Sequence, residues 1–304
     1  MKQFFGKMKP IITPLLASLI WGISFVAQKV ADTTGAFMVN GLRSVIAVVF
    51  LMILTLIFTK GDYKHLFSET DKKATKSLWI GGLLSGTALY AATFLQQYGM
   101  NVGVEAGKAG FLTALYIVMV PVFGIFTKKK PTWSVWVSVA LALAGIYFLS
   151  VTGALTFEMA DLFIIGCALF YTLQIMALDK YSPLCNSTKL STIMFLTCGV
   201  LSLVSSLLFE RGNTVSGIMQ SAFPILYLGI FSSGIGYTLQ IVAQKSDANP
   251  AVVSVLLSME SVFSVIAGAI ILKEVLTGRQ YLGCVLMLAA VILNVVLTAK
   301  KDSK

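Results

Sequence analysis

Glu260 is the residue on which any chemistry of this chain turns. It lies in Asn249–Glu274, NPAVVSVLLSMESVFSVIAGAIILKE, where residues 251–272 are long and apolar enough for a bilayer-crossing helix with one carboxylate near its middle. A charged side chain at that depth costs about 2.5–3.5 kcal/mol on insertion scales, so it must face protein or a wet cavity rather than lipid. On a helix Val253, Leu257, Glu260, Ser264, Ala267 and Gly268 share one side, and the Ser264/Gly268 pair lets another helix approach closely. Two roles are open to such an acid: a coupling or substrate site, or a hydrogen-bonded group that holds helices together.

Other candidates come as polar and aromatic stripes at helical spacing. Trp21, Ser24 and Gln28 stand at i, i+3 and i+7, as do Tyr90, Thr93 and Gln97 and, further on, Tyr237, Gln240 and Gln244; Tyr171 and Gln174 repeat the first step. Thr113 and Tyr116 share a side with Gly110. Such stripes offer aromatic faces, hydroxyls and amides with almost no fixed charge, a lining suited to a neutral, zwitterionic or aromatic solute and poor for a polyanion. Each amide could equally serve as interhelical glue, worth about 1 kcal/mol. Arg43, in an apolar stretch with Asn40, reads as a structural charge that pairs inside the bundle or snorkels outward.

The elements that position these residues follow from composition. Hydrophobic residues are 57% of 304 and charged residues 12%, with a mean hydropathy of +0.86, which excludes a water-soluble domain. Ten apolar stretches of spanning length run over 11–29, 36–58, 78–99, 106–127, 132–151, 159–178, 189–209, 220–243, 251–272 and 279–299. The expected fold is an all-α polytopic membrane protein. The first stretch, with Trp21 and Gln28 and no small-residue cleavage site after it, reads as a retained helix.

The net charge of +10 sorts by side rather than marking a nucleic-acid partner. With the N-terminus inside, inner segments hold Lys60, Lys64, Lys72, Lys73, Lys76, Lys128, Lys129, Lys130, Lys180, Lys189 and Lys245 besides the lysines at both ends. Outer segments hold only Lys29, Lys108, Arg211, Lys273 and Arg279, so both termini are expected on the cytoplasmic face. Cys167, Cys185, Cys198 and Cys284 have no metal-ligand spacing, and the lone His65 sits in a lysine-rich loop. No metal and no cofactor are implied. With one intramembrane acid and no buried histidine, an enzyme is not expected.

The chain also repeats itself. GGLLSGTALYAATFLQQ and LGIFSSGIGYTLQIVAQ align without gaps, pairing Gly82 with Gly229, Ser85 with Ser232, Tyr90 with Tyr237, Thr93 with Gln240 and Gln97 with Gln244. Two five-span units, 1–151 and 152–304, follow; an odd number of spans in each makes them inverted-topology repeats around a central cavity.

At this point the chain resembles the EamA-type ten-helix members of the drug/metabolite transporter superfamily. The resemblance rests on Trp21-Gly22-Ile23-Ser24-Phe25, on Arg43 followed by Ala47, on Ala109-Gly110-Phe111-Leu112-Thr113-Ala114-Leu115-Tyr116 through Pro121, and on Leu257-Ser258-Met259-Glu260-Ser261-Val262-Phe263 through Leu272-Lys273-Glu274 and Thr277. It implies two five-helix halves around a cavity lined mainly by helices 1, 3, 4, 6, 8 and 9, and commonly export of amino acids or other small metabolites. The chain departs from the pattern at Ser261, where the family often has Pro, which puts a ninth-helix kink in doubt. It departs again at Lys128-Lys129-Lys130-Pro131-Thr132, in place of an acidic turn.

The resulting expectation is a secondary transporter in a bacterial-type inner membrane that exports small neutral, zwitterionic or aromatic metabolites by alternating access. Gln97 and Gln244 would belong to an outer and an inner gate, and Glu260 could couple transport to protons. A flippase for a lipid or lipid-linked metabolite and an importer of a vitamin-like compound are the alternatives. The partners implied are the bilayer, a small-molecule substrate and possible coupling protons, with no nucleic acid. Nothing in the sequence sets the oligomeric state, and a monomer satisfies it.

Overall fold

The structure, a computed structural model, describes residues 2–302 apart from 31–33, 62, 64, 65, 105, 128, 129, 152–156, 211, 246–248, 272 and 274. It describes backbone alone for 2–8, 25, 26, 28–30, 100, 101, 106, 107 and 298–302. The side chain of Gln28 and residues Lys64, His65, Lys128, Lys129, Arg211, Leu272 and Glu274 therefore lie outside the described residues.

The described residues are helical, without strands. In order the helices are α1 (Lys2–Val30), α2 (Ala36–Phe58), α3 (Lys72–Asn101), α4 (Ala106–Thr113), α5 (Tyr116–Gly124), α6 (Trp133–Ser150), α7 (Asp161–Tyr181), α8 (Ser187–Phe209), α9 (Val215–Gln220) and α10 (Ala222–Tyr227). A π-helical segment, Leu228–Gly236, then leads into α11 (Tyr237–Lys245), followed by α12 (Pro250–Leu257), α13 (Glu260–Ile271) and α14 (Gly278–Asp302). Among the described residues eight helical stretches are long and apolar enough to cross a bilayer, with two shorter apolar ones at Lys9–Ser24 and Lys108–Gly124. Helices are what an apolar solvent permits, because each backbone N–H and C=O must find its partner within the segment.

The sorting of side chains is that of a bundle in lipid. Val45, Val49, Ile53 and Ile57 make an exposed i, i+4 stripe on α2, and Leu288, Ile292 and Val296 make one on α14. Inside lie Ser44, Ser138, Gln174, Gln240, Gln244 and Asn294, each at most 1% exposed. The main packing pairs are α2 with α8, α6 with α14, α3 with α7 and α8, and α1 with α13, α11 and the π segment. On α6 and α14, Gly145 and Gly283 face each other so closely that a Cβ on either would sit within 3.0 Å of the other's carbonyl oxygen.

Two spans expected to be continuous are interrupted. The stretch 106–127 breaks at Ala114–Leu115, ahead of Tyr116 and well before Pro121. The stretch 251–272 breaks at Ser258–Met259, so Glu260 opens α13 instead of sitting in mid-helix. The doubt that Ser261 cast on a ninth-helix kink is thus answered by a two-residue break that needs no proline. There Ser254 and Ser258 turn their hydroxyls back onto the carbonyls of Ala251 and Val255, competing with the helical ladder.

Candidate functional site

Four elements bring aromatic rings together around Tyr237. On α1, Trp21 donates through Nε1 to the Ser232 carbonyl at 3.1 Å, and its ring lies 4.7 Å from that of Tyr237 at the start of α11. The wide π turn matters here, because its carbonyls leave the α-helical register and one of them takes a side-chain donor. Tyr171 of α7 packs against the same core cluster as Tyr237. Tyr116 opens α5 just as Glu260 opens α13, and the hydroxyls of Tyr116, Tyr171 and Tyr237 all lie within electrostatic reach of the Glu260 carboxylate. Gly22 lets α1 lie against α13: a Cβ there would stand 2.5 Å from Phe263 Cβ and 2.8 Å from backbone atoms of Phe263 and Ser264.

Arg43 faces the same group from α2. Its Nε donates to Ser233 Oγ at 2.9 Å and its Nη2 to Ser232 Oγ at 3.0 Å, both on the π segment, and its charge acts on the Tyr171 and Tyr237 hydroxyls. It has no carboxylate partner among the described residues, so neither pairing with an acid nor snorkelling describes it. Gln174 and Gln240 exchange long hydrogen bonds with each other at 3.4 and 3.5 Å, and both are 1% exposed.

Several expected lining residues are placed elsewhere. Gln244 is fully buried and spends its amide on the Ile175 carbonyl at 2.8 Å, tying α11 to α7. Ser24 donates to Ile20 of its own helix and meets the Tyr227 hydroxyl. Thr113 accepts from Gln96, not from Gln97, at 3.0 Å. The Tyr90, Thr93, Gln97 stripe turns away from Tyr171 and toward α2 and α8. There Tyr90 bonds Ser205, while Asn40 donates to Thr93 at 3.1 Å and to Ser202 at 2.7 Å. Thr93 and Gln97 with Phe37, Asn40, Phe94, Tyr98 and Glu210 line a small crevice of about 60 Å³. The stripes expected to enclose one chamber therefore divide between a central cluster and this separate crevice.

Three carboxylates that the sequence analysis did not single out prove structural. Glu210, at the end of α8, accepts from Phe37 N at 2.8 Å and Met38 N at 2.9 Å, capping the first turn of α2 from another helix. Asp161 pairs with Lys108 at 2.7 Å. Glu69 meets Lys189 at 3.4 Å and accepts from Asn186 N at 2.6 Å, docking the loop after α2 onto the start of α8. Beside it Lys245 donates to the Cys185 carbonyl at 2.6 Å. Their charge was readable in the sequence, but their partners were not.

Apolar helices with a belt of lipid-facing side chains and a polar, aromatic interior define a polytopic membrane protein. Its family follows from comparison: the EamA-like transporter family model matches residues 8–151 and 158–296, and the chain belongs to that family. An uncharacterized transporter of Archaeoglobus fulgidus is 31% identical over 91% of this chain and 83% of its own length. A probable amino-acid metabolite efflux pump of Escherichia coli is 23% identical, covering 93% of this chain and 94% of the pump. A solved crystal structure superposes with a TM-score of 0.81 over 96% of this chain and 98% of the other at 16% identity, which speaks to the fold. The protein is a membrane transporter rather than an enzyme.

Proposed function

We propose that the protein is a secondary transporter that exports small neutral, zwitterionic or aromatic metabolites of amino-acid type by alternating access. The observation that carries this reading is the aromatic cluster that Trp21, Tyr171 and Tyr237 build from α1, α7 and α11, with the Tyr116, Tyr171 and Tyr237 hydroxyls within electrostatic reach of Glu260. Aromatic faces and a few oriented polar groups bind such solutes without a fixed multivalent charge. The name of the E. coli relative accords with an amino-acid-like cargo.

The proposal includes two inverted five-helix units, 1–151 and 152–304, making ten spans. Exchanging α1, α2, α3, α4–α5 and α6 with α7, α8, α10–α11, α12–α13 and α14 turns the observed packing pairs into one another. Thus α3 on α7 becomes α11 on α1, and α3 on α8 becomes the π segment on α2. The two matched family segments and the paired breaks before Tyr116 and Glu260 accord with the same exchange. Discontinuous helices at corresponding places in two halves are where such transporters build their sites. Glu260 is the proposed proton-coupling acid, both termini lie on the cytoplasmic face of an inner membrane, and the Gln244 tie to Ile175 belongs to the inner gate.

Thermal stabilisation of the purified protein by a panel of amino acids, nucleosides and vitamins tests the substrate class, since a ligand held only by the folded state raises apparent stability. Stabilisation by neutral amino acids, lost in Trp21→Ala and Tyr237→Ala, is expected. Stabilisation confined to lipids would remove the reading.

A further inference from the structure

We propose that the α2·α8 pair is the stationary seam of the transport cycle, closed at its two ends by Glu210 and Glu69, and that the motion is carried by the interrupted helices α4–α5 and α12–α13. This rests on the alternating-access reading above.

The two helices hold each other by the same device at both ends. Glu210, just past the last residue of α8, accepts from Phe37 N at 2.8 Å and Met38 N at 2.9 Å in the first turn of α2, and Asn213 Oδ1 takes Gly35 N at 2.8 Å. At the other end Glu69, in the loop after α2, accepts from the backbone N–H of Asn186, the N-cap of α8, at 2.6 Å. Its second oxygen pairs with Lys189 in the first turn of α8 at 3.4 Å, and Lys189, only 7% exposed, also donates to the Ser68 carbonyl at 2.7 Å. Each acid thus follows its own helix and binds the start of the other. Under the exchange of α2 with α8 proposed above, each is the other's counterpart.

Between these ends the seam is closed along its length. Asn40 donates to Ser202 at 2.7 Å, and a Cβ on Gly199 would stand 3.0 Å from Ser44 Cβ. The pairs run in opposite directions, so α2 and α8 are antiparallel and each carboxylate meets the positive end of the other's helix dipole. Parting the helices at either end strips charge-assisted bonds from a carboxylate and leaves helix-start donors without a partner in a setting poor in water. The two units can turn about this seam but not separate along it.

The breaks lie elsewhere. The interruptions at Ala114–Leu115 and Ser258–Met259 divide helices that pack on α7 and α1, each on a helix of the other proposed unit. A few residues at the end of an element are what absorbs a hinge rotation. Thr113, the last residue of α4, places its hydroxyl 3.9 Å from the Cys167 sulfur of α7, across one of these contacts.

Two reversible disulfide locks test the assignment in proteoliposomes, with counterflow of labelled L-phenylalanine as readout and the native cysteines not in use replaced by alanine. Ser44→Cys with Gly199→Cys locks the seam, since its Cβ separation needs to widen only slightly to reach disulfide geometry. Thr113→Cys with the native Cys167 locks α4 to α7. The oxidised seam lock is expected to keep at least half the rate of its reduced form, and the oxidised α4·α7 lock to lose at least tenfold, regained on reduction. A seam lock that loses more than half its rate and regains it on reduction overturns the proposal, as does an α4·α7 lock that keeps more than half. Hydrogen exchange of the unmodified protein decides the matter if a cysteine variant does not fold. Saturating L-phenylalanine should leave exchange in 36–44 and 196–203 unchanged while altering it at least threefold in 113–121 or 257–264, and a threefold change confined to the first two segments overturns the proposal. Absence of phenylalanine counterflow in the unmodified wild type removes the amino-acid reading itself and this inference with it, an outcome distinct from a blocked seam lock.

Discussion

Removing the Glu210 carboxylate should destabilise the protein through a helix it does not belong to. The first turn of α2 exposes backbone donors with no partner inside the helix. Glu210 Oε1 takes Phe37 N and Oε2 takes Met38 N, while Ser206 and Asn213 hold the carboxylate in place at 2.8 and 3.2 Å. Hydrogen bonds to a charged acceptor are worth about 1.5–3 kcal/mol each, and at this partly buried position water recovers a share, so Glu210→Ala should cost about 2–4 kcal/mol in total. Glu210→Gln keeps one acceptor oxygen and should lose about half as much. At about 2–4 °C per kcal/mol for chains of a few hundred residues, the alanine variant should melt roughly 4–16 °C below wild type. A thiol-reactive fluorogenic dye makes a suitable readout in detergent, because Cys167 and Cys198 are fully buried and react only as the bundle opens. Midpoints within 1 °C of wild type for both variants would refute the reasoning and mean that water caps α2 as well as the carboxylate does.

Gly22→Val should lower the melting temperature and the transport rate together, since its side chain meets the Phe263 backbone; overpacking of this kind costs about 1–3 kcal/mol. Gly110→Ala, whose added methyl would meet only Ser150 Oγ at 3.9 Å, is the matched control and should be neutral. Burial, with Glu69 adding to it and Lys245 opposing it, pushes the Cys185 thiol up to about 11. Alkylation of that thiol in the folded protein should therefore be slow at pH 7 and rise about tenfold per pH unit toward pH 10; labelling at pH 7 as fast as that of free cysteine would contradict this. Glu260→Gln should abolish uptake driven by a pH gradient while leaving solute exchange, and an unchanged pH dependence would demote Glu260 to scaffolding.

Much of the architecture was legible because lipid imposes it: apolar runs of spanning length had to be helices. Spacing alone singled out Trp21, whose ring packs on that of Tyr237, and Gln174, which exchanges hydrogen bonds with Gln240. Spacing names a helix face, however, not the neighbour that face meets. Tyr90, Thr93 and Gln97 aligned with Tyr237, Gln240 and Gln244, yet the first set turns toward α2 and α8 while Gln244 is spent on a backbone carbonyl. An amide is equally at home on a solute and on a main-chain oxygen, and only packing decides between them. The breaks before Tyr116 and Glu260 carry no proline at the break itself, and the π segment only shifts the hydrogen-bond partner by one residue over nine residues, so neither leaves a periodic signal. Glu210 was invisible as a cap because its partners lie more than 170 positions away in the chain.

The central claim is tested most directly by counterflow in proteoliposomes. Vesicles loaded with an unlabelled neutral amino acid and diluted into a trace of the labelled compound should show transient accumulation of label with the wild-type protein, and none when Tyr237→Ala and Trp21→Ala are combined. Accumulation undiminished by that double substitution would place the translocation route elsewhere. No accumulation with the folded wild type, whichever neutral amino acid is loaded, would contradict an amino-acid site at the centre of this bundle.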